Sequence, residues 1–88
     1  MANVTLTGNH DPGNDGTSSG AICNGGNLRI RNSTITCNTS EIGGVAGGIF
    51  NAGGGILNLG NTIVAQNTAD FAPDIYSINS TVRQSAEI

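Results

Sequence analysis

Lysine and tryptophan are absent from this 88-residue chain, and it holds only one tyrosine, two phenylalanines and one methionine. A chain so poor in large side chains cannot fill a wide globular core. Cations are equally scarce: Arg29, Arg31 and Arg83 are all there are, and the formal net charge is −3. Binding nucleic acid takes a basic stripe that displaces counterions from phosphates. None is present, so no nucleic-acid partner is expected, and the same shortage argues against an anionic membrane surface. No apolar run approaches the roughly 20 residues that cross a bilayer, so no membrane insertion is expected. The opening MANVTLTGNH lacks the basic region and apolar stretch of a signal peptide. Met1 is therefore read either as an expression start on a segment of a longer protein or as the start of a complete small one. Two cysteines are too few for a disulfide framework. Cys23 and Cys37 are expected as small packed thiols, with a bridge between them as the alternative. Two cysteines and one histidine at unrelated spacing make no zinc site, and no cofactor is expected.

What the chain does have is glycine, 14 residues of it, with abundant asparagine, serine and threonine. That composition alone would suit a disordered segment. The placement of its aliphatic residues does not. NVTLTGNH from Asn3, NSTITCNT from Asn32 and NTIVAQNT from Asn61 align without a gap at an offset of 29. Asn3, Asn32 and Asn61 form one column, Leu6, Ile35 and Val64 a second, and Asn9, Asn38 and Asn67 a third. A further block, Ala21 to Gly25, matches Gly48 to Ala52 at an offset of 27, and Leu28 and Ile30 match Leu57 and Leu59 at 29. The difference falls in the run Gly53-Gly54-Gly55, where a turn tolerates insertion. A third copy begins at Asp74-Ile75-Tyr76-Ser77 and is expected to decay before Ile88.

Helical repeats are excluded, because no 3.6-residue stripe appears, and the leucine and asparagine spacing of leucine-rich repeats is missing. Short segments alternate instead, as in Leu28-Arg29-Ile30-Arg31 and Thr34-Ile35-Thr36, which is the period of a strand with one buried face. The fold expected is all-β, a right-handed parallel β-helix (solenoid) of about three coils of 27–29 residues. The whole of 1–88 forms a single segment, divided into a partial coil 3–19, coils 20–46 and 47–74, and a partial coil 75–88. Equivalent residues then stack about 4.8 Å apart. Leu6/Ile35/Val64, Leu28/Leu57 and Ile30/Leu59 become aliphatic ladders, and Asn9/Asn38/Asn67 an amide ladder. Asparagine and glycine turn the corners, the glycines at 25–26, 43–44, 47–48 and 53–55.

The stretches GAICNGGNLRIRNSTITCNTS and GGIFNAGGGILNLGNTIVAQNTADFAPDIYS resemble the repeats of bacterial surface proteins with right-handed parallel β-helices. Polymorphic outer-membrane protein repeats and β-helix proteins carrying sorting-anchor domains are similar in appearance. The resemblance covers roughly residues 20 to 78, with Asn3 to His10 as a partial earlier copy. It implies a secreted or surface-displayed protein and is specific for fold rather than activity. The chain departs from that pattern in having about three coils and no readable capping helix. Uncapped coils expose strand edges that pair with other chains, so end-to-end self-association into oligomers or filaments is expected if the 88 residues are the whole molecule; in an excised piece the same edges are artefacts.

Candidate chemistry is sparse. Glu41 and Asp70 share a repeat position, about one strand spacing apart when stacked, near the separation of a retaining glycosidase pair; solvated corner residues look the same. A lyase would need a basic residue and acidic calcium ligands, which the chain does not assemble. His10 to Gly16 has the oxygen-rich look of a calcium loop, with Asp11 and Asp15 as candidate ligands, but lacks the full EF-hand spacing. Thr5/Thr7 and Thr34/Thr36 stack as two T-x-T units of the kind found on ice-binding solenoids, broken at Ile63-Val64-Ala65; threonine is also an ordinary exposed strand residue. N-x-[ST] at Asn3, Asn32, Asn38 and Asn79 follows from composition. Arg29 and Arg31 share one exposed face that suits an acidic partner or simply solvent. The leading function is a structural or adhesive, non-catalytic segment. A carbohydrate-binding or carbohydrate-cleaving module using Glu41 and Asp70 is the alternative, and an ice-binding face the minor one. On the carbohydrate reading, Glu41→Gln and Asp70→Asn abolish turnover on a polysaccharide panel; no turnover, or turnover that both changes leave intact, ends it.

Overall fold

The computed structural model describes residues 1–12, 19–41, 45–70, 72–78 and 80–85. The expected calcium ligand Asp15, the corner glycines 43–44 and Asn79 lie outside the described residues. The described chain is all-β, without a helix, and its strands are short. In order they are β1 (Thr5–Thr7), β2 (His10–Asp11), β3 (Ile22–Asn24), β4 (Asn27–Arg31), β5 (Thr34–Thr36), β6 (Thr39–Ser40), β7 (Ile49–Asn51), β8 (Ile56–Gly60), β9 (Ile63–Ala65), β10 (Ile75–Ser77) and β11 (Thr81–Ser85). No strand pairs with its neighbour in sequence. Three sheets, in the orders β1-β5-β9, β3-β7-β10 and β4-β8-β11, each take one strand from each copy of the repeat, and β2 pairs β6. Every one of these pairings is parallel. Parallel neighbours need a long crossover, and here the crossover is the rest of one repeat.

The registers match the sequence columns. Leu6 lies opposite Ile35 and Ile35 opposite Val64. Leu28 lies opposite Leu57, and Ile30 opposite Leu59. The third copy does not stop at Ser77: β11 pairs β8 over five residues, placing Val82 opposite Leu57 and Gln84 opposite Leu59. Backbone pairing outlasts the side-chain pattern because ladder hydrogen bonds need only an extended chain. Alternation sets burial. Leu57 and Leu59 are buried between half-buried Ile56, Asn58 and Gly60, and Ile30, Ile35, Ile49, Leu57 and Leu59 form the core cluster. In two of the columns the middle member is best covered. Ile35 is fully buried between half-buried Leu6 and Val64, as is Leu57 between half-buried Leu28 and exposed Val82.

Two columns of left-handed residues bracket the first sheet. Asn3, Asn32 and Asn61 have φ of 57°, 51° and 47°, and Gly8, Cys37 and Gln66 have φ of 69°, 58° and 58°. The first is the asparagine corner expected from sequence. The second puts Cys37 and Gln66 into a conformation that L-residues other than Asn and Gly adopt only at a steric cost. Gly47 meets a different constraint. A Cβ there would stand 2.5 Å from both N and O of Thr68 and 2.8 Å from Pro73 O. Glycine is therefore what lets two backbone segments touch.

Gly47→Ala should cost more than about 2 kcal/mol, since no side chain can move to relieve a backbone clash. Gly26→Ala, with nothing within 4 Å of the added carbon, should cost less than about 1 kcal/mol. Urea denaturation of both variants checks the contrast; equal midpoints would mean the close approach at Gly47 is not real.

Candidate functional site

The most constrained polar site is internal. Asn38 is fully buried and Asn67 nearly so. Asn9 N and Nδ2 both donate to Asn38 Oδ1, at 3.0 and 2.9 Å. Asn38 N and Nδ2 donate in the same way to Asn67 Oδ1, at 3.0 and 2.9 Å. The second Nδ2 proton of each buried amide also has an acceptor: Leu6 O for Asn38 and Ile35 O for Asn67, both at 3.1 Å. Each side chain thus uses two donors and a doubly accepting oxygen, the whole capacity drawn on being that of a planar amide. Aspartate in the column would lack the donors and stack like charges one strand apart. Serine would lack the second donor.

The column ends on a different residue. Asn67 N and Nδ2 donate to Asp74 Oδ1, at 3.1 and 3.0 Å. Asp74 follows Asn67 by seven residues and fills the acceptor role that the next copy's asparagine plays elsewhere. A carboxylate is suitable there because only acceptance is required. Sequence reading placed Asp74 at the start of a strand and gave it no role.

A second amide column was also missed as a ladder, although Asn24 and Asn51 align in the repeat. Asn24 Nδ2 donates to Asn51 Oδ1 at 2.8 Å. Asn51, fully buried, donates to Thr81 O at 3.0 Å. Ser80 Oγ closes that end by donating to Asn51 O at 2.7 Å. Hydroxyls form a third internal set, with Ser33 Oγ donating to Arg31 O and Thr62 Oγ1 to Gly60 O, each at 2.8 Å.

Surface candidates are placed differently. Glu41 follows β6, and its Oε2 lies 2.8 Å from His10 Nε2, with both side chains about half exposed. Asp70 stands two residues beyond Thr68, which bridges Thr39, so both carboxylates keep their shared repeat position. Asp11 is half-buried and accepts from Ser40 Oγ at 3.1 Å. Among the described residues no three side chains gather into a metal site. Thr5 and Thr7 lie opposite Thr34 and Thr36, which lie opposite Ile63 and Ala65, so the threonine array spans two strands as read. The cysteines correct the expectation. Both are exposed and neither is in a disulfide. Cys23 points outward in the register of Phe50 and Tyr76, and Cys37 occupies a left-handed corner, so neither position faces the core. Phe50 and Tyr76 stack, with ring centroids 5.6 Å apart and an interplanar angle of 16°.

Comparison with protein-family models, curated proteins and solved structures gives no match to this chain.

Asn38→Ala should destabilise by about 3 kcal/mol, because it strands donors and acceptors on both sides of a buried amide. Asp74→Ala should cost about 1–2 kcal/mol, and Asp74→Asn less, since its oxygen can still accept. Chemical denaturation checks the ranking. An Asp74→Ala variant no weaker than Asp74→Asn would remove the closing role of the carboxylate.

Proposed function

We propose that the chain is a segment of right-handed parallel β-helix with a structural or adhesive, non-catalytic role, self-associating through its end faces. The single observation that supports the helical reading best is that each strand pairs in parallel with its equivalent one repeat later, sheet after sheet. Right-handedness follows from the near-universal hand of parallel crossovers. The shortest dimension, 16 Å, suits three strands about 4.8 Å apart with their side chains. The buried amides of Asn38 and Asn67 are fully engaged in the ladder, which supports a structural role for them.

Self-association is supported by what the columns present at their outer members. Leu6, Ile22 and Leu28 at one face, and Val64, Ile75 and Val82 at the other, are all incompletely covered, with Val82 39 % exposed. A further coil is the natural cover for such a face, because it continues both the apolar columns and the parallel ladder. A place outside the cell or on its surface is the setting that the repeats' resemblance to surface proteins implies.

Light scattering coupled to size-exclusion chromatography should show mass rising with concentration. Any filaments should give a reflection near 4.8 Å along their axis. Val82→Glu, which puts a charge on one end face, should return the chain to monomer. A monomer at every concentration would overturn self-association, and a filament reflection perpendicular to the axis would overturn the coil geometry.

A further inference from the structure

The chain's three arginines, two of them on β4 and the third far along the sequence on β11, arrive on one sheet. Arg29 and Arg31 are exposed on β4. The register sets Arg29 opposite Asn58 of β8 and Asn58 opposite Arg83 of β11, with Arg31 opposite Gly60. The outer face therefore reads Arg-Asn-Arg in one column, with arginine beside glycine in the next. The missing side chain at Gly60 makes this face concave. Arg29, Arg31, Asn58, Leu59 and Gly60 line a notch of about 110 Å³, enough for a few waters or one compact anion. Among the described residues none of the three guanidiniums is in an ion pair. The described carboxylates, Asp11, Glu41, Asp70 and Asp74, all fall in the segments between the β1-β5-β9 and β3-β7-β10 sheets.

We propose that this notch binds a small oxyanion of the sulfate or phosphate type. The net charge of −3 does not forbid it, because screening at about 10 Å in 0.1 M salt leaves the local cluster to set the field. Arg29 and Arg31 line the notch from one strand, and Arg83, outside its lining, adds a third positive charge two strand spacings from Arg29, roughly 10 Å away at the backbone. Like charges at that range repel, and an oxyanion between them removes the repulsion. Guanidinium forks match oxyanion geometry by paired N–H donation, and Asn58 Nδ2 supplies a neutral donor between the two arginines of its column. Leu59 and the other inward residues fix the strands from which these groups project. This role goes beyond the structural one and does not depend on how the chain associates.

The test is a titration of the 15N-labelled chain with inorganic sulfate, inorganic phosphate and glycerol phosphate, with sodium chloride at matched ionic strength as control. Saturable shifts are expected at Arg29, Arg31, Asn58, Gly60 and Arg83. Arg31→Gln should weaken binding about tenfold, the loss of one charge-assisted hydrogen bond, and Arg83→Gln should weaken it by less. Binding of the ester as well as the free ions supports recognition of the oxyanion group itself. Shifts that follow the chloride control, or that saturate equally in both arginine variants, overturn the site. So do shifts at these residues that grow with protein concentration and vanish in Glu41→Gln, which would assign the face to the acidic flank of a second copy.

Discussion

A buried asparagine set directly against its own copy in the next repeat is the constraint on which the remaining structure depends. Burying an amide without partners is costly, and only a parallel, in-register neighbour offers each amide both an acceptor and a donor at the right height. Asn38 meets this requirement on both sides. A shift of one residue in register would turn Asn38 outward and bring its neighbours in, losing the ladder and the aliphatic columns together. Hydrophobic stacking of Leu6, Ile35 and Val64 would tolerate small slips, since one aliphatic contact resembles another. The amides do not, because their hydrogen bonds are directional. Core volume and hydrogen-bond geometry thus divide the work: the first favours any compact stack, the second selects this one.

The small size of the apolar core makes that division necessary. Five buried aliphatic residues form its cluster, and a chain of this length has little more to bury. Side-chain hydrogen bonds to backbone carbonyls then replace the contacts that larger domains obtain from aromatics. Ser33, Thr62 and Ser80 each tie a corner to a strand in this way, and Asn51 ties β7 to β11. The glycines act from the other side, by letting backbone approach backbone, as Gly47 does at Thr68. Both devices need residues that look like low-complexity filler in composition.

This explains what could be read from the sequence. Columns that require one chemistry at a fixed spacing were legible: Leu6/Ile35/Val64, Leu28/Leu57, Ile30/Leu59 and Asn9/Asn38/Asn67 all appear in the registers or hydrogen bonds. The column Gly8/Cys37/Gln66 was not, although it has the same offset. What its members share is a backbone conformation, imposed by the corner and tolerated by three unrelated side chains. Arg83 was illegible as a partner of Arg29 because fewer residues separate β10 from β11 than separate β7 from β8, so a constant offset misses the match. The outward direction of Cys23 was lost for a related reason: a small apolar residue fits either face, and only its register with Phe50 and Tyr76 decides.

Asp74 gives the ladder a direction with consequences for growth. The paired N and Nδ2 donors of each asparagine run toward the later repeat and its oxygen faces the earlier one, so a layer placed after Asn67 would have to bring an oxygen to those N–H groups. At Asn67 that oxygen is already supplied from within the same repeat, by Asp74. A coil stacking on this face could cover Val64, Ile75 and Val82 but would find the amide donors occupied. At the opposite face Asn9 is exposed and gives its N–H and one Nδ2 proton to Asn38, which leaves its oxygen and its second Nδ2 proton as the groups turned toward a newcomer. The two end faces are therefore alike in apolar character and unlike in polar demand. Joining them head to tail would require Asp74 to yield its place to the incoming amide or to share the donors with it. One carboxylate, seven residues beyond the last asparagine of the column, thus makes the two ends of the ladder unequal.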